Sequence, residues 1–183
     1  DLGISVSTRI DNLNLLHLAG SKEVAELLIA ECADVKAQDT FGFTPLHFAV
    51  AFDRIKLAKM LIAKGADINA QSTPDIDWDV SKSIWTYKLR GFLPGNSMGT
   101  TPLFFARSPE MAKLLIAKGA NVNAKNKNGI TPLHTARSKA IAQILLAAGA
   151  KINIKEDNAR NGKGTTLLHN AAKIGFKELV QHL

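Results

Sequence analysis

Few residues of this chain could do chemistry, and the first candidate is a serine between two glycines. Residues 95–99, of sequence GNSMG, match the G-x-S-x-G pattern of a nucleophile elbow, which needs a strand before the serine and a helix directly after it. Pro94 precedes the pattern, and only the capping signal of a later helix follows it. Because the chain contains 13 glycines, a chance match is a better explanation than catalysis.

Phosphate and metal sites are disfavoured as well. Residues 162–166, of sequence GKGTT, place Lys163 between glycines but lack the first glycine and the following Ser or Thr of a phosphate loop. Cys32 is the only cysteine, so it cannot form an internal disulfide or a cysteine-rich zinc site, and it is typical of a reducing compartment. We therefore predict no enzyme activity, no metal and no cofactor.

Four of the five histidines end the same four-residue motif, which makes them structural candidates. The motif reads NLLH, TPLH, TPLH and TLLH, and it ends at His17, His47, His134 and His169. A fifth copy, residues 101–104, ends in Phe104. Catalysis would not require one histidine in every copy. We expect these histidines to support the packing of repeated units, and replacing a buried one by Ala to cost about 1–3 kcal/mol.

The elements that carry the motif read as a helix, a turn and a second helix, repeated about every 30 residues. In the unit that starts at Thr44, the threonine is a good N-cap and Pro45 suits the first helical position. The second helix places Leu57 and Leu61 on one face, and Gly65 is suited to end it. Such units bury their apolar faces against their neighbours, so the pattern predicts a stack.

On these residues the chain resembles the ankyrin-repeat family. The resemblance implies an all-α solenoid of helix-turn-helix units with projecting finger loops. It further implies that the motif histidines hydrogen-bond within and between units, and that a partner protein binds the concave face and the fingers. The threonines expected to cap the first helices are Thr44, Thr101, Thr131 and Thr166, with Asn14 in the same role.

The predicted organisation is a single domain, residues 1–183, with one long insertion. It comprises repeats 11–38, 41–70, 99–125 and 128–154, a partial repeat 164–183, a finger insertion 71–98 and a small polar insertion 155–163. Three repeats are three residues shorter between their helices, where Ser21, Ser108 and Ser138 fall. Because Ser is a strong N-cap, we expect a shortened first helix and a tight turn in these repeats. The chain begins without Met and ends within a helical pattern, so we expect it to be part of a longer protein.

The long insertion adds about 24 residues to one finger and holds three of the large aromatic side chains, Trp78, Trp85 and Tyr87. Segments 76–80 and 85–89 alternate apolar and polar residues, which predicts a β-hairpin. Two interpretations remain open. The aromatics either form a partner-binding arm or fold back as a flap on the stack.

The remaining candidate partner contacts lie in the fingers and near the helix ends. They are Phe41, Phe43, Phe52, Arg107, Lys127, Ile130 and Arg137. For Phe52, local packing is an equal alternative. The expected partner is another protein, with no small-molecule substrate, and the chain would act in the cytoplasm, or in a host cytoplasm if it is an effector.

Two other functions stay open beside protein binding, and a membrane span is not predicted. The net charge of +7 allows a nucleic-acid-binding surface, although lysines on solvated helix faces account for it more simply. A recognition region tethered to an enzyme outside this chain is the other alternative. No apolar run approaches the ~20 residues that cross a bilayer, so no membrane span is predicted.

Overall fold

The computed structural model describes residues 15–39, 41–72, 99–152 and 167–182 of the chain, and these form five helix pairs. The pairs are α1 (Leu15–Leu18) and α2 (Lys22–Ala30), α3 (Pro45–Ala51) and α4 (Ile55–Ala63), the 3₁₀ helix η1 (Pro102–Phe105) and α5 (Pro109–Ala117), the 3₁₀ helix η2 (Pro132–Thr135) and α6 (Lys139–Ala147), and α7 (Leu167–Lys173) and α8 (Lys177–His182). We call these pairs units 1 to 5. Within the described ranges there are helices and no strands, which confirms the all-α repeat fold.

The first helices are shortened where the sequence predicted it. α1, η1 and η2 each have four residues, whereas α3 has seven. In units 1, 3 and 4 the serine after the short helix caps the second helix. Its Oγ accepts a hydrogen bond from a first-turn N–H, with Ser21 to Val24 at 3.4 Å, Ser108 to Met111 at 3.1 Å and Ser138 to Ile141 at 3.3 Å. The serine thus satisfies one of the free N–H groups in the first turn of the second helix. The second helix can therefore begin directly after a four-residue first helix.

The second helices bury one face and expose the other. In α4 the buried residues include Leu57 and Leu61, and in α5 they are Met111, Ala112 and Leu115. These side chains join one continuous core that runs from Leu16 to Leu179 through all five units. Full burial of each Leu or Met side chain stabilises the fold by about 1.5–3 kcal/mol, so the stack is held mainly by contacts between neighbours.

The second helices end in left-handed residues, as the sequence predicted. Gly65, Gly119 and Gly149 have φ of 90°, 91° and 89°. Cys32 occupies the same place in unit 1 with φ of 67° and is exposed. A residue with a side chain costs roughly 1–2 kcal/mol in the left-handed conformation. The backbone at Cys32 is therefore more strained than at the equivalent glycines.

The finger bases are closed by paired backbone groups. Asp39 N donates to Phe43 O at 2.9 Å, and Asn126 N donates to Ile130 O at 2.9 Å. The finger that carries the long insertion is closed in the same way. Ser72 N donates to Thr100 O at 2.9 Å, and Gly99 N donates to Ser72 O at 2.7 Å. The long insertion therefore leaves and rejoins the stack at a closed base.

Several sequence predictions lie outside the described residues. They are the hairpin within 76–89 with Trp78, Trp85 and Tyr87, the serine pattern at 95–98, the cap residues Asn14 and Thr166, and the small insertion 155–163.

The closed base predicts that the long insertion can be removed without loss of the stack. Residues 72–100 would be replaced by the sequence NKNGI of positions 126–130, which closes its own finger with the same backbone pair. We expect the far-ultraviolet circular dichroism of a helical protein and a single cooperative thermal transition. A shorter loop also lowers the entropic cost of closure by about 1.5 kcal/mol.

The matched control for this graft is the sequence NKNVI, because Gly129 has φ of 76°. Valine in that conformation should lower the free energy of unfolding by about 1–2 kcal/mol relative to the glycine graft. A graft that melts without cooperativity would instead place part of the core within the insertion.

Candidate functional site

The motif histidines act as clamps between neighbouring units. Nδ1 of His47 lies 3.0 Å from the backbone N and 3.0 Å from Oγ1 of Thr44, and its Nε2 lies 3.2 Å from the carbonyl oxygen of Thr100. Because the Thr44 N–H donates to Nδ1, the ring proton must be on Nε2, which donates to Thr100. His47 thus caps its own helix and links unit 2 to unit 3.

Two more histidines make bonds of this kind. His17 Nε2 bonds to Phe43 O at 2.9 Å, and His134 Nδ1 lies 2.9 Å from Oγ1 of Thr131 in its own unit. The predicted bond between units is confirmed for His17 and His47, and the bond within the unit is confirmed for His47 and His134. His169 is exposed, and its expected cap Thr166 lies outside the described residues.

Phe104 breaks the clamp in unit 3. Its ring is 2% exposed and cannot accept a hydrogen bond, so Thr101 Oγ1 is buried with no hydrogen-bond partner among the described residues. A buried hydroxyl without a partner costs about 1–3 kcal/mol. Phe104 thus removes a polar link from unit 3 and adds apolar area to the core.

Burial shifts the pKa values of His47 and Asp39 in opposite directions near the finger at residues 39–43. It lowers the pKa of His47 to about 4, which keeps the imidazole neutral, as the Nε2–H tautomer requires. It raises the pKa of Asp39 to about 6, although its Oδ1 accepts the N–H groups of Phe41 at 2.9 Å and Phe43 at 2.8 Å. Asn126 accepts the two equivalent bonds in the finger at residues 126–130 without a charge.

The predicted partner contacts in the fingers divide into exposed and buried residues. Lys127 is exposed and Phe41 is half-buried, so both reach the surface. Phe43 and Ile130 are 6% and 5% exposed and belong to the core. The Phe43 ring packs edge-on against Phe105 at 5.8 Å between centroids. The prediction that Phe43 and Ile130 contact a partner is wrong, because each lies directly before a motif threonine, Thr44 or Thr131, and faces the stack.

Residues at the turns between helices form a second surface, which we call the basic edge: Phe52, Arg54, Arg107 and Arg137. Phe52, Arg107 and Arg137 are exposed, and Arg54 is half-buried. The guanidinium carbon of Arg54 lies 4.9 Å from the centroid of the Phe52 ring, which is 39% exposed. Arg107 Nη1 donates to the carbonyl oxygen of Ala51, the residue before Phe52, at 3.4 Å. Desolvation lowers the pKa of Arg137, and the charge of Arg107 lowers it further.

Arg54 belongs to this edge although the sequence analysis did not single it out. It stands where units 1, 3 and 4 have their capping serines, and its side chain crosses to unit 1, where Nη1 donates to Ala19 O at 2.7 Å. An arginine replacing a cap residue was the signal that could have identified it.

The inward face of the first helices contributes little surface in the centre of the stack. All seven residues of α3 and all four of η1 are buried. Partner contact at this face stays a prediction, and units 2 and 3 offer it little accessible surface. The fingers and the basic edge lie at opposite ends of α3, about 10 Å apart along a seven-residue helix.

Neither a metal-binding cluster nor a membrane-spanning helix is found in the described part of the chain. No group of three or more His, Cys, Asp or Glu side chains in these ranges could hold a metal ion. No helix in the same ranges is long and apolar enough to cross a membrane.

Comparison with protein families identifies the fold. Residues 2–72 and 88–156 match the model of a family described as ankyrin repeats, in three copies. The match covers well over half of the chain, so the chain belongs to the ankyrin-repeat family. Ankyrin repeats are generally protein–protein interaction modules and are typically not catalytic.

Thr101 and Thr44 occupy equivalent positions, but only the Thr101 hydroxyl is without a hydrogen bond among the described residues. Replacing each by Val should therefore change the free energy of unfolding in opposite directions. Thr101→Val should raise the free energy of unfolding by about 1 kcal/mol, because it removes a buried hydroxyl and keeps the branched shape. Thr44→Val should lower it by about 1 kcal/mol, since Thr44 Oγ1 bonds to His47. Urea denaturation of both variants measures the difference. Equal losses in the two variants would contradict the account of Phe104.

The raised pKa of Asp39 predicts a pH-dependent gain from Asp39→Asn. The folded-state pKa, about 6, lies above the ordinary value of 3.8, so the stability gained from protonation is complete below 3.8 and lost as pH rises through 6. The variant should therefore exceed the parent by on the order of 3 kcal/mol at pH 7, and the gain should vanish by pH 4.

Urea denaturation of parent and variant between pH 4 and pH 8 checks this prediction. The opposite shift of His47, which lowers stability as pH falls from 6.5 to 4, is common to both proteins and cancels in the difference. Asp34→Asn is the matched control, because Asp34 makes the same local bond, to Lys36 N at 2.8 Å, but is exposed. It should change stability by less than about 0.5 kcal/mol at any of these pH values.

Proposed function

We propose that this ankyrin-repeat chain is a non-catalytic module that binds a partner protein through its finger tips and its basic edge. The observation that carries the proposal is the pairing of the exposed Phe52 ring with the half-buried guanidinium of Arg54 at 4.9 Å, with Arg107 bonded to the adjacent carbonyl oxygen of Ala51. Aromatic residues and Arg are enriched in protein interfaces and in their energetic centres. A larger effector or scaffold is the proposed setting of the module.

The use of the histidines supports a binding role over catalysis. His17 and His47 are buried and bonded to carbonyl groups of the next unit. A histidine held in this way cannot reach a substrate.

A rigid arrangement of the fingers supports the proposal further. Asn69 Nδ2 donates to Gly119 O at 3.1 Å, and Asn123 Nδ2 donates to Gly149 O at 3.0 Å. Their Oδ1 atoms accept the N–H groups of Asn121 and Lys151 at 2.9 and 2.8 Å. These bonds fix the loop of each unit against the next one, so little ordering remains to be done when a partner binds.

The long insertion extends the proposed site. Trp78, Trp85 and Tyr87 belong to a segment that leaves and rejoins the stack at a finger base, between Ser72 and Thr100. An insertion there leaves the packed interfaces between units untouched. We include it as an arm that adds contact area beside the fingers.

Paired substitutions in the fingers test the proposal. The full chain serves as bait, captured proteins are identified by mass spectrometry, and the purified partner is titrated by calorimetry. Phe41→Ala with Lys127→Ala should weaken binding by about fivefold or more, because the finger surface loses an aromatic and a charge. The variant in which NKNGI replaces the long insertion is titrated in the same way. Its loss of affinity measures how much the insertion contributes to partner binding.

The control pair is Lys59→Ala with Lys113→Ala, on the exposed faces of α4 and α5. It should change the affinity by less than about twofold, since surface substitutions away from an interface are close to neutral. Equal losses in the control pair, or unchanged affinity in the finger pair, would refute the assignment of the fingers.

A further inference from the structure

Charge is distributed unevenly along the stack. Residues 15–39 carry two lysines against five carboxylates, a formal charge of −3. Residues 99–152 carry eight Lys and Arg side chains against the single carboxylate of Glu110, a formal charge of +7. The excess positive charge of the chain thus lies in units 3 and 4 and their fingers, together with the adjoining basic edge.

Arg107 and Arg137 occupy the same position in units 3 and 4, directly before the serine that caps the second helix. Both side chains are exposed. Desolvation lowers the pKa of Arg137, and the charge of Arg107 lowers it further. A carboxylate beside either guanidinium would offset the repulsion between the two arginines and accept charge-assisted hydrogen bonds.

We propose that the basic edge binds an acidic, Asp- and Glu-rich segment of the partner protein. This inference rests on the proposed function and specifies the chemistry of the partner. The nine-residue helices α4, α5 and α6 all begin at this edge, and their positive ends add to the field of the arginines.

The repeat geometry specifies the spacing of the acidic groups. α5 and α6 pack side by side, and packed helices lie about 8–10 Å apart. Arg107 and Arg137 therefore present equivalent groups at about that spacing. An extended segment rises about 3.3 Å per residue, so carboxylates three residues apart match the two arginines.

One feature favours an acidic protein segment over nucleic acid. The exposed Phe52 ring offers apolar contact that the side chains of a peptide use and a phosphate backbone does not. Asp53 lies within the edge, where its Oδ1 accepts the Ser108 hydroxyl at 2.7 Å, so the acidic groups of a partner must face the arginines rather than this carboxylate.

The test uses a fluorescein-labelled peptide, (Glu-Gly-Ser)₄, whose binding to the full chain is followed by anisotropy at about 20 mM salt, where screening is weak. Arg107→Glu with Arg137→Glu should weaken binding by about tenfold or more, and Arg107→Lys with Arg137→Lys should retain most of it. The control is Lys113→Glu with Lys118→Glu, which makes the same charge change on exposed positions of unit 3. It should weaken binding by less than about threefold.

The peptide with Gln in place of Glu and a twelve-residue oligothymidylate complete the experiment. Equal weakening by the two charge-reversed pairs would overturn the proposal, because only net charge would then be recognised. Tighter binding of the oligothymidylate than of the Glu peptide, or no binding of the Glu peptide, would overturn it too. Thermal melting of the Arg107→Gln, Arg137→Gln variant controls for folding, and this variant should also lose peptide binding.

Failure of the acidic-segment proposal can be told apart from failure of the proposed protein-binding function. If the charge-reversed edge still binds the captured partner, and that binding depends on Phe41 and Lys127, the module binds protein and the acidic-segment proposal fails. If the Glu peptide binds the edge while no protein is captured, the proposed function fails and the anion-binding surface stands.

Discussion

The stack depends on histidines that stay neutral and hold one tautomer. Each unit alone exposes the apolar face of its helices, so it must be locked to a neighbour before that face is buried. His47 provides the lock, with Nδ1 accepting from Thr44 and Nε2 donating to Thr100 of the next unit. Protonation of Nδ1 would remove an acceptor in a buried place. The same burial that stabilises the core therefore sets the titration of the residue that joins the units.

The unit that lacks the clamp is the one that follows the long insertion. Phe104 leaves the Thr101 hydroxyl without a hydrogen bond, but the base of the insertion is secured from the other side. Thr100 accepts from His47, and its N–H and hydroxyl both lie 3.0 Å from the Ser72 hydroxyl. Unit 2 thus supplies the polar bonds that unit 3 has lost, and Phe104 adds apolar area to the junction. An insertion at this finger is tolerated because its ends are fixed independently of its length.

Local features of the fold could be predicted from the sequence, and features that depend on packing could not. Ser108 and Gly119 specify where α5 begins and where it ends, because caps act within one turn of a helix. The burial of Phe43 could not be predicted, since a finger residue looks exposed until the neighbouring unit covers it. Arg54 was missed for the same reason, because its contact with Ala19 joins residues 35 positions apart.

The two exposed surfaces would contribute to recognition in different ways. The fingers hold side chains such as Phe41 on bases fixed by backbone bonds, so contacts there affect how long a complex lasts. Arg107 and Arg137 of the basic edge are exposed and screened by salt, and charges of that kind mainly change the rate of association. Because α3 separates the surfaces by about 10 Å, one acidic partner can be oriented by the edge before it engages the fingers. The charge gradient from unit 1 to unit 4 gives that approach a direction along the stack, since the repelling end and the attracting end belong to one rigid body of packed helices.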